Sequence, residues 1–118
     1  MSEPENNVAP ESFPDLTLTI SYAQGLHYAQ LRLRLFAHGG LRPFCGKHHL
    51  PYTTIINLKN GRLPEQQPLL LQRLLRSLDV ATEPLRLGKD QHFLFPSREA
   101  LITFEQQFAS LQGKSPPT

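Results

Sequence analysis

The chain has 118 residues, a formal net charge of +2, 39% hydrophobic residues, seven Phe, no Trp and one cysteine. Its length suits one domain and excludes two independent cores, and its composition excludes disorder throughout. Cys45 alone can form no intrachain disulfide, no apolar run approaches the roughly 20 residues that cross a bilayer, and the start is acidic where a secretory leader is basic and then apolar, so the reading is a cytoplasmic protein with no membrane partner.

Charge is unevenly placed. Glu3, Glu5, Glu11 and Asp15 lead the chain with no base before residue 22, whereas residues 22–80 carry eight Lys or Arg against Glu65 and Asp79. A basic middle behind an acidic lead is what a binder of polyanions can look like, although many ordinary surfaces share it. Residues 1–14, rich in Pro, Asn and Glu without apolar periodicity, read as a disordered acidic arm.

Leu16, Leu18 and Ile20 alternate with threonines and predict a short strand, and Ser21 can cap a helix. From Tyr22 to His38, Leu26, Ala29, Leu33, Phe36 and Ala37 recur at helical spacing, with Gly39-Gly40 as the stop. Leu41 to His48 allows two helical turns, broken at Leu50-Pro51 because proline disfavours helical geometry in the residue before it. The next stretch pulls two ways: Thr53 to Ile56 favours a strand, and Asn60-Gly61 a hairpin turn. No alternating partner follows, since RLPEQQP holds two prolines. The reading is therefore a helix opened by Pro51 in its first turn and ended by Gly61, with Ile55 and Leu58 inward.

Pro68 opens a further helix to Leu78, with Leu71, Leu74, Leu75 and Leu78 inward and Arg73 and Arg76 outward. Leu85 to Leu87 and His92 to Phe95 flank Gly88-Lys89-Asp90 as a β-hairpin. Ser97 can cap a last helix whose stripe is Ala100, Leu101, Phe104, Phe108 and Leu111, and residues 114–118 form a flexible tail.

From Leu33 to Val80 the chain resembles the lambda-repressor-like (Cro or Xre type) helix-turn-helix family of DNA-binding domains. The resemblance rests on Leu33-Arg34 in the first helix, Phe44-Cys45 as the large-small pair of the second, Leu50 in the turn, Thr54-Ile55 and Leu58 in the recognition helix, Asn60-Gly61 at its end, and LLLQRLLRSLDV as the closing helix. Leu41 stands where many relatives have a Gln that contacts the DNA backbone, and His48 stands where an apolar core residue is usual.

The resemblance implies a mainly helical fold: a lambda-repressor-like bundle over residues 15–80, with a small appended β-hairpin and a C-terminal helix over 81–113 as a candidate dimerisation element. The function it implies is a sequence-specific double-stranded DNA-binding transcriptional regulator, a repressor acting as a homodimer. Two alternatives stand beside it: an antitoxin that binds DNA and a toxin partner, and a protein-interaction module that keeps the fold without DNA binding.

A major-groove helix needs an apolar inner face and short polar or basic groups outward. On that basis Tyr52, Thr53, Ile56 and Asn57 are the candidate base readers, with the Asn57 amide matched to adenine N6 and N7. Arg42, Lys59, Asn60 and Arg62 are the candidate phosphate contacts, although each charge is equally a candidate for plain solvated surface. Cys45, His48 and His49 have ligand spacing but no second cluster to complete a metal site, and His27, His38 and His92 stand apart, so neither metal nor cofactor is implied. No acidic partner or oxyanion site accompanies Cys45 and its histidines, so no enzyme is expected.

Overall fold

A computed structural model describes residues 15–113. It is mainly helical, with a small antiparallel sheet. A 3-10 turn (Leu16–Leu18) leads into β1 (Thr19–Ser21), followed by α1 (Tyr22–Leu33), α2 (Leu41–Lys47), α3 (Tyr52–Lys59), α4 (Pro68–Ser77), β2 (Glu83–Leu87), β3 (Asp90–Leu94) and α5 (Arg98–Leu111). The acidic arm and the tail lie outside the described residues. No helix among the described residues is long and apolar enough to cross a membrane.

The predicted strand over Leu16 to Ile20 is shorter and shifted. The Asp15 carboxylate accepts from the backbone N–H and the hydroxyl of Thr17, and the Leu18 N–H donates to the Asp15 carbonyl at 2.9 Å. This local closure curls Leu16 outward, where it is 54% exposed. Only Ile20 of the alternating set becomes core. Ser21 then caps α1 as expected, through a reciprocal box with Gln24.

α1 ends at Leu33, not at His38. The Leu35 N–H donates to Arg32 and that of Phe36 to Leu33, tight turns that swing Phe36 away from the helix and onto Phe44 of α2, with ring centroids 4.7 Å apart. Gly39-Gly40 thus belongs to a separate turn, in which the Gly40 N–H donates to the Ala37 carbonyl at 2.8 Å.

Three helices end in the same way. After α2, α3 and α4, the N–H of the second residue past the cap reaches the carbonyl three residues from the helix end: Leu50 to Cys45, Arg62 to Asn57 and Val80 to Leu75, each at 2.8 Å. This motif requires a left-handed residue in between. Gly61 supplies it after α3 with φ 70°, but His49 (φ 57°) and Asp79 (φ 70°) do so elsewhere, at a conformational cost that only glycine escapes.

A Cβ on Gly61 would meet nothing closer than 4.0 Å, so replacing it tests backbone conformation and not space. Gly61→Ala is expected to cost about 1–2 kcal/mol, read as a lower urea midpoint with unchanged slope.

The sheet order is β1-β3-β2, so β3 is central and pairs antiparallel on both sides: Ile20 with Phe93 and Pro84 with Phe93 are register partners. The sequence places the hairpin turn at Gly88-Lys89-Asp90; Asp90 instead starts β3 and the turn narrows to Gly88-Lys89. Pro84 lies in an edge strand, where a missing N–H is tolerated and discourages pairing with further chains.

One apolar core runs through all of it, from Ile20 and Tyr28 through Ile55, Leu58, Leu71 and Leu74 to Phe93, Phe95 and Phe104. The hairpin and α5 are therefore part of the same core as the helices before them. Gly25 is what lets α1 lie on the sheet: a Cβ there would come within 3.2 Å of the Phe93 ring.

Candidate nucleic-acid interface

Between Pro51 and Gly61 the chain is helical over Tyr52–Lys59, bracketed by the proline and the glycine. Pro51 sits one residue earlier than expected, at the N-cap with extended backbone, and its carbonyl accepts from Ile55 at 2.9 Å. Ile55 and Leu58 are wholly buried and dock α3 on the bundle. With 3.6 residues per turn, that fixes the opposite face: Thr53 and Asn60 point outward and are exposed, flanked by Ile56 and Asn57, which are half-buried.

Polar contacts from the neighbouring helices hold α3, the turn before it and the start of α4. Gln30 Nε2 of α1 donates to the Leu58 carbonyl at 3.0 Å. Arg73 of α4 donates to the His49 carbonyl in the turn before α3. The Tyr22 hydroxyl accepts from the Gln67 N–H at 2.9 Å, anchoring the start of α4. An outward face supported in this way is preorganised for contact.

Arg42 enters from α2. Its guanidinium carbon lies 4.2 Å from the centroid of the Tyr52 ring, a cation–π arrangement that fixes the charge beside the first turn of α3. No side chain caps that first turn, so its N–H groups and the positive end of the helix dipole face the same region. Arg42 and Tyr52 share a groove of about 470 Å³ with Ile56, Lys59, Phe36 and His38. The groove thus pairs an apolar floor with a cationic rim.

Of the predicted base readers, Tyr52, Thr53, Ile56 and Asn57 all lie on α3; Tyr52 and Ile56 also pack partly against the core. Of the predicted phosphate contacts, Arg42 and Lys59 come together in the groove, Asn60 caps α3, and Arg62 follows Gly61 on exposed chain. His38 was not anticipated as a neighbour of these residues. It reaches the groove because α1 unwinds after Leu33, and no local signal marks that.

Cys45 is buried, and burial pushes its thiol up from its ordinary value, which keeps it protonated and unreactive. His48, half-buried, packs on Phe44 with ring centroids 4.6 Å apart and the rings tilted by 51°. No group of three His, Cys, Asp or Glu side chains able to hold a metal occurs among the described residues.

No family model, curated protein or solved structure matches this chain.

Proposed function

We propose that this chain is a sequence-specific regulator that binds double-stranded DNA, with α2 and α3 as a helix-turn-helix and α3 in the major groove. The observation that carries the reading is the outer face of α3. It presents Thr53, Asn57 and Asn60 on a helix locked from behind by Ile55 and Leu58, with the Arg42–Tyr52 stack at its leading end. Two short helices joined by a four-residue turn, His48 to Pro51, suit that docking geometry, and Phe44-Cys45, Leu50, Thr54-Ile55 and Leu58 of the family resemblance lie on these elements.

In this reading Asn57 reads adenine, Ile56 meets a thymine methyl, and Arg42, Lys59, Asn60 and Arg62 hold phosphates. The regulator is a repressor that binds as a homodimer on two half-sites about one helical turn apart, blocking promoter access. Selection of retained fragments from random or genomic duplexes tests this, since a dimer enriches paired half-sites at that spacing. Failure to enrich any motif would remove the sequence-specific reading.

Two substitutions separate the roles. Asn57→Ala is expected to weaken binding to the selected site by about 1–3 kcal/mol while leaving random duplex unaffected, measured by fluorescence anisotropy on both DNAs. Lys59→Ala should weaken all sequences alike and reduce the magnitude of the slope of log affinity against log salt by roughly one contact.

One observation favours a second reading. The groove beside Tyr52 and Ile56 has an apolar floor, which would suit a peptide side chain on a module that binds protein instead of DNA. Binding of duplex that falls steeply with salt separates the two, because counterion release belongs to the polyanion.

A further inference from the structure

Ile55 and Leu58 are the buried residues of α3, and apolar contact carries no direction. Two such residues, three apart, dock a helix but leave it free to roll about its axis and to slide along it. Hydrogen bonds are directional, and neighbouring helices supply one at the end of α3 and one in the turn that leads into it.

At the C-terminal end, Gln30 in the last turn of α1 is half-buried, and its Nε2 donates to the Leu58 carbonyl at 3.0 Å. The same oxygen accepts from the Gly61 N–H at 3.1 Å, so the helix stop and the contact to α1 share one acceptor. A Cβ on Gly61 would lie 4.0 Å from Gln30 Nε2, which puts the amide against that stop. In the turn before α3, Arg73 of α4 donates to the His49 carbonyl. His49 is left-handed, with φ 57°, a conformation that a non-glycine residue keeps only where its surroundings over-determine it. The Leu50 N–H on the Cys45 carbonyl at 2.8 Å is one such constraint and the Arg73 guanidinium is a second.

A bidentate contact to a base edge needs the helix placed to within about 0.5 Å and 10–20°. Long, flexible lysine and arginine side chains follow a phosphate over a wider range. The seating of α3 therefore weighs on base reading more than on attraction to the backbone.

We propose that Gln30 and Arg73 are positioning residues that determine the sequence specificity of this interface. Neither belongs to the set assigned to bases and phosphates. Gln30 from α1 and Arg73 from α4 fix the roll and depth of α3 from its two ends, and so decide whether Asn57 meets its base. This role rests on the DNA-binding reading above and adds to it side chains that touch no nucleotide.

Gln30→Met and Arg73→Met, which keep much of the side-chain length and lose the donor, test it in the full chain. The Leu58 carbonyl keeps the Gly61 N–H in Gln30→Met, so no orphaned group is left and the fold should hold. By fluorescence anisotropy, each variant is expected to bind the selected site about tenfold more weakly, the loss of one base contact, with affinity for random duplex and its salt slope unchanged. In the DNA-free protein, hydrogen exchange of the Ile55 to Lys59 amides should quicken by about tenfold relative to those of α4. A purely structural role would cost the same factor on both duplexes, and that result overturns the proposal, as does unchanged exchange in α3. A salt slope lowered by one contact in Arg73→Met makes Arg73 a phosphate ligand and overturns its assignment. Wild-type protein without sequence preference overturns the DNA-binding reading and this role with it, whereas wild-type preference retained in both variants overturns this role alone.

Discussion

Phe93→Ala is expected to remove about 3–5 kcal/mol of folding stability, the range for deleting a fully buried aromatic side chain. Phe93 is wholly buried on the central strand, stacks on Tyr22 with ring centroids 5.9 Å apart, and fills the space that Gly25 leaves open on α1. Nothing nearby can collapse into the void, because β3 is pinned on both sides by β1 and β2. A domain holds only about 5–15 kcal/mol in total, so the variant should be partly unfolded at physiological temperature. Urea unfolding followed by circular dichroism measures this. Phe93→Leu, which keeps most of the volume, should recover the greater part of the loss. A loss under about 1 kcal/mol for Phe93→Ala would mean that the sheet is not seated on α1 in this way.

The second large effect concerns binding. Reversing the two charges of the groove together, Arg42→Glu with Lys59→Glu, is expected to cut affinity for duplex DNA by about a hundredfold or more. Carboxylates set against phosphates cost several kcal/mol, and every 1.4 kcal/mol is about a factor of ten. Arg42 is exposed and Lys59 half-buried, neither belongs to the core, and the fold loses mainly the Arg42–Tyr52 contact, so the melting temperature should move little. Anisotropy on any duplex measures the effect, and circular dichroism checks the fold. Unchanged DNA affinity with an intact fold would separate the groove from DNA altogether.

The parts of the fold that the sequence reveals are those bracketed by residues with strong local chemistry. Pro51 and Gly61 enclose α3, Ser21 and Ser97 cap α1 and α5, and the leucines of α4 repeat at one helical spacing. The hairpin is legible because alternating residues flank a glycine.

What is missed depends on distant partners. The stripe from Leu26 to Ala37 continues past Leu33, and only the position of Phe44 on α2 explains why the chain unwinds there to deliver Phe36. At residues 16–18 a carboxylate hydrogen bond over two residues overrides an alternating pattern. His49 and Asp79 take left-handed positions that a reader expects glycine to mark.

The site divides in the same way. The eight candidate residues follow from the outward positions of one helix and its flanking bases, whereas the stacking of Arg42 on Tyr52 joins side chains ten positions apart on different helices. The involvement of His38 depends on where α1 stops, and that is set by tertiary packing.

The most direct measurement is a titration of isotope-labelled protein with duplex DNA, following each backbone amide by NMR. If α3 enters the major groove, the largest shifts fall on Thr53, Asn57, Asn60 and Arg62, with Arg42 moving in step and the sheet and α5 nearly still. Shifts confined to the sheet and α5, or none at DNA excess in low salt, would contradict the assignment of this helix to DNA.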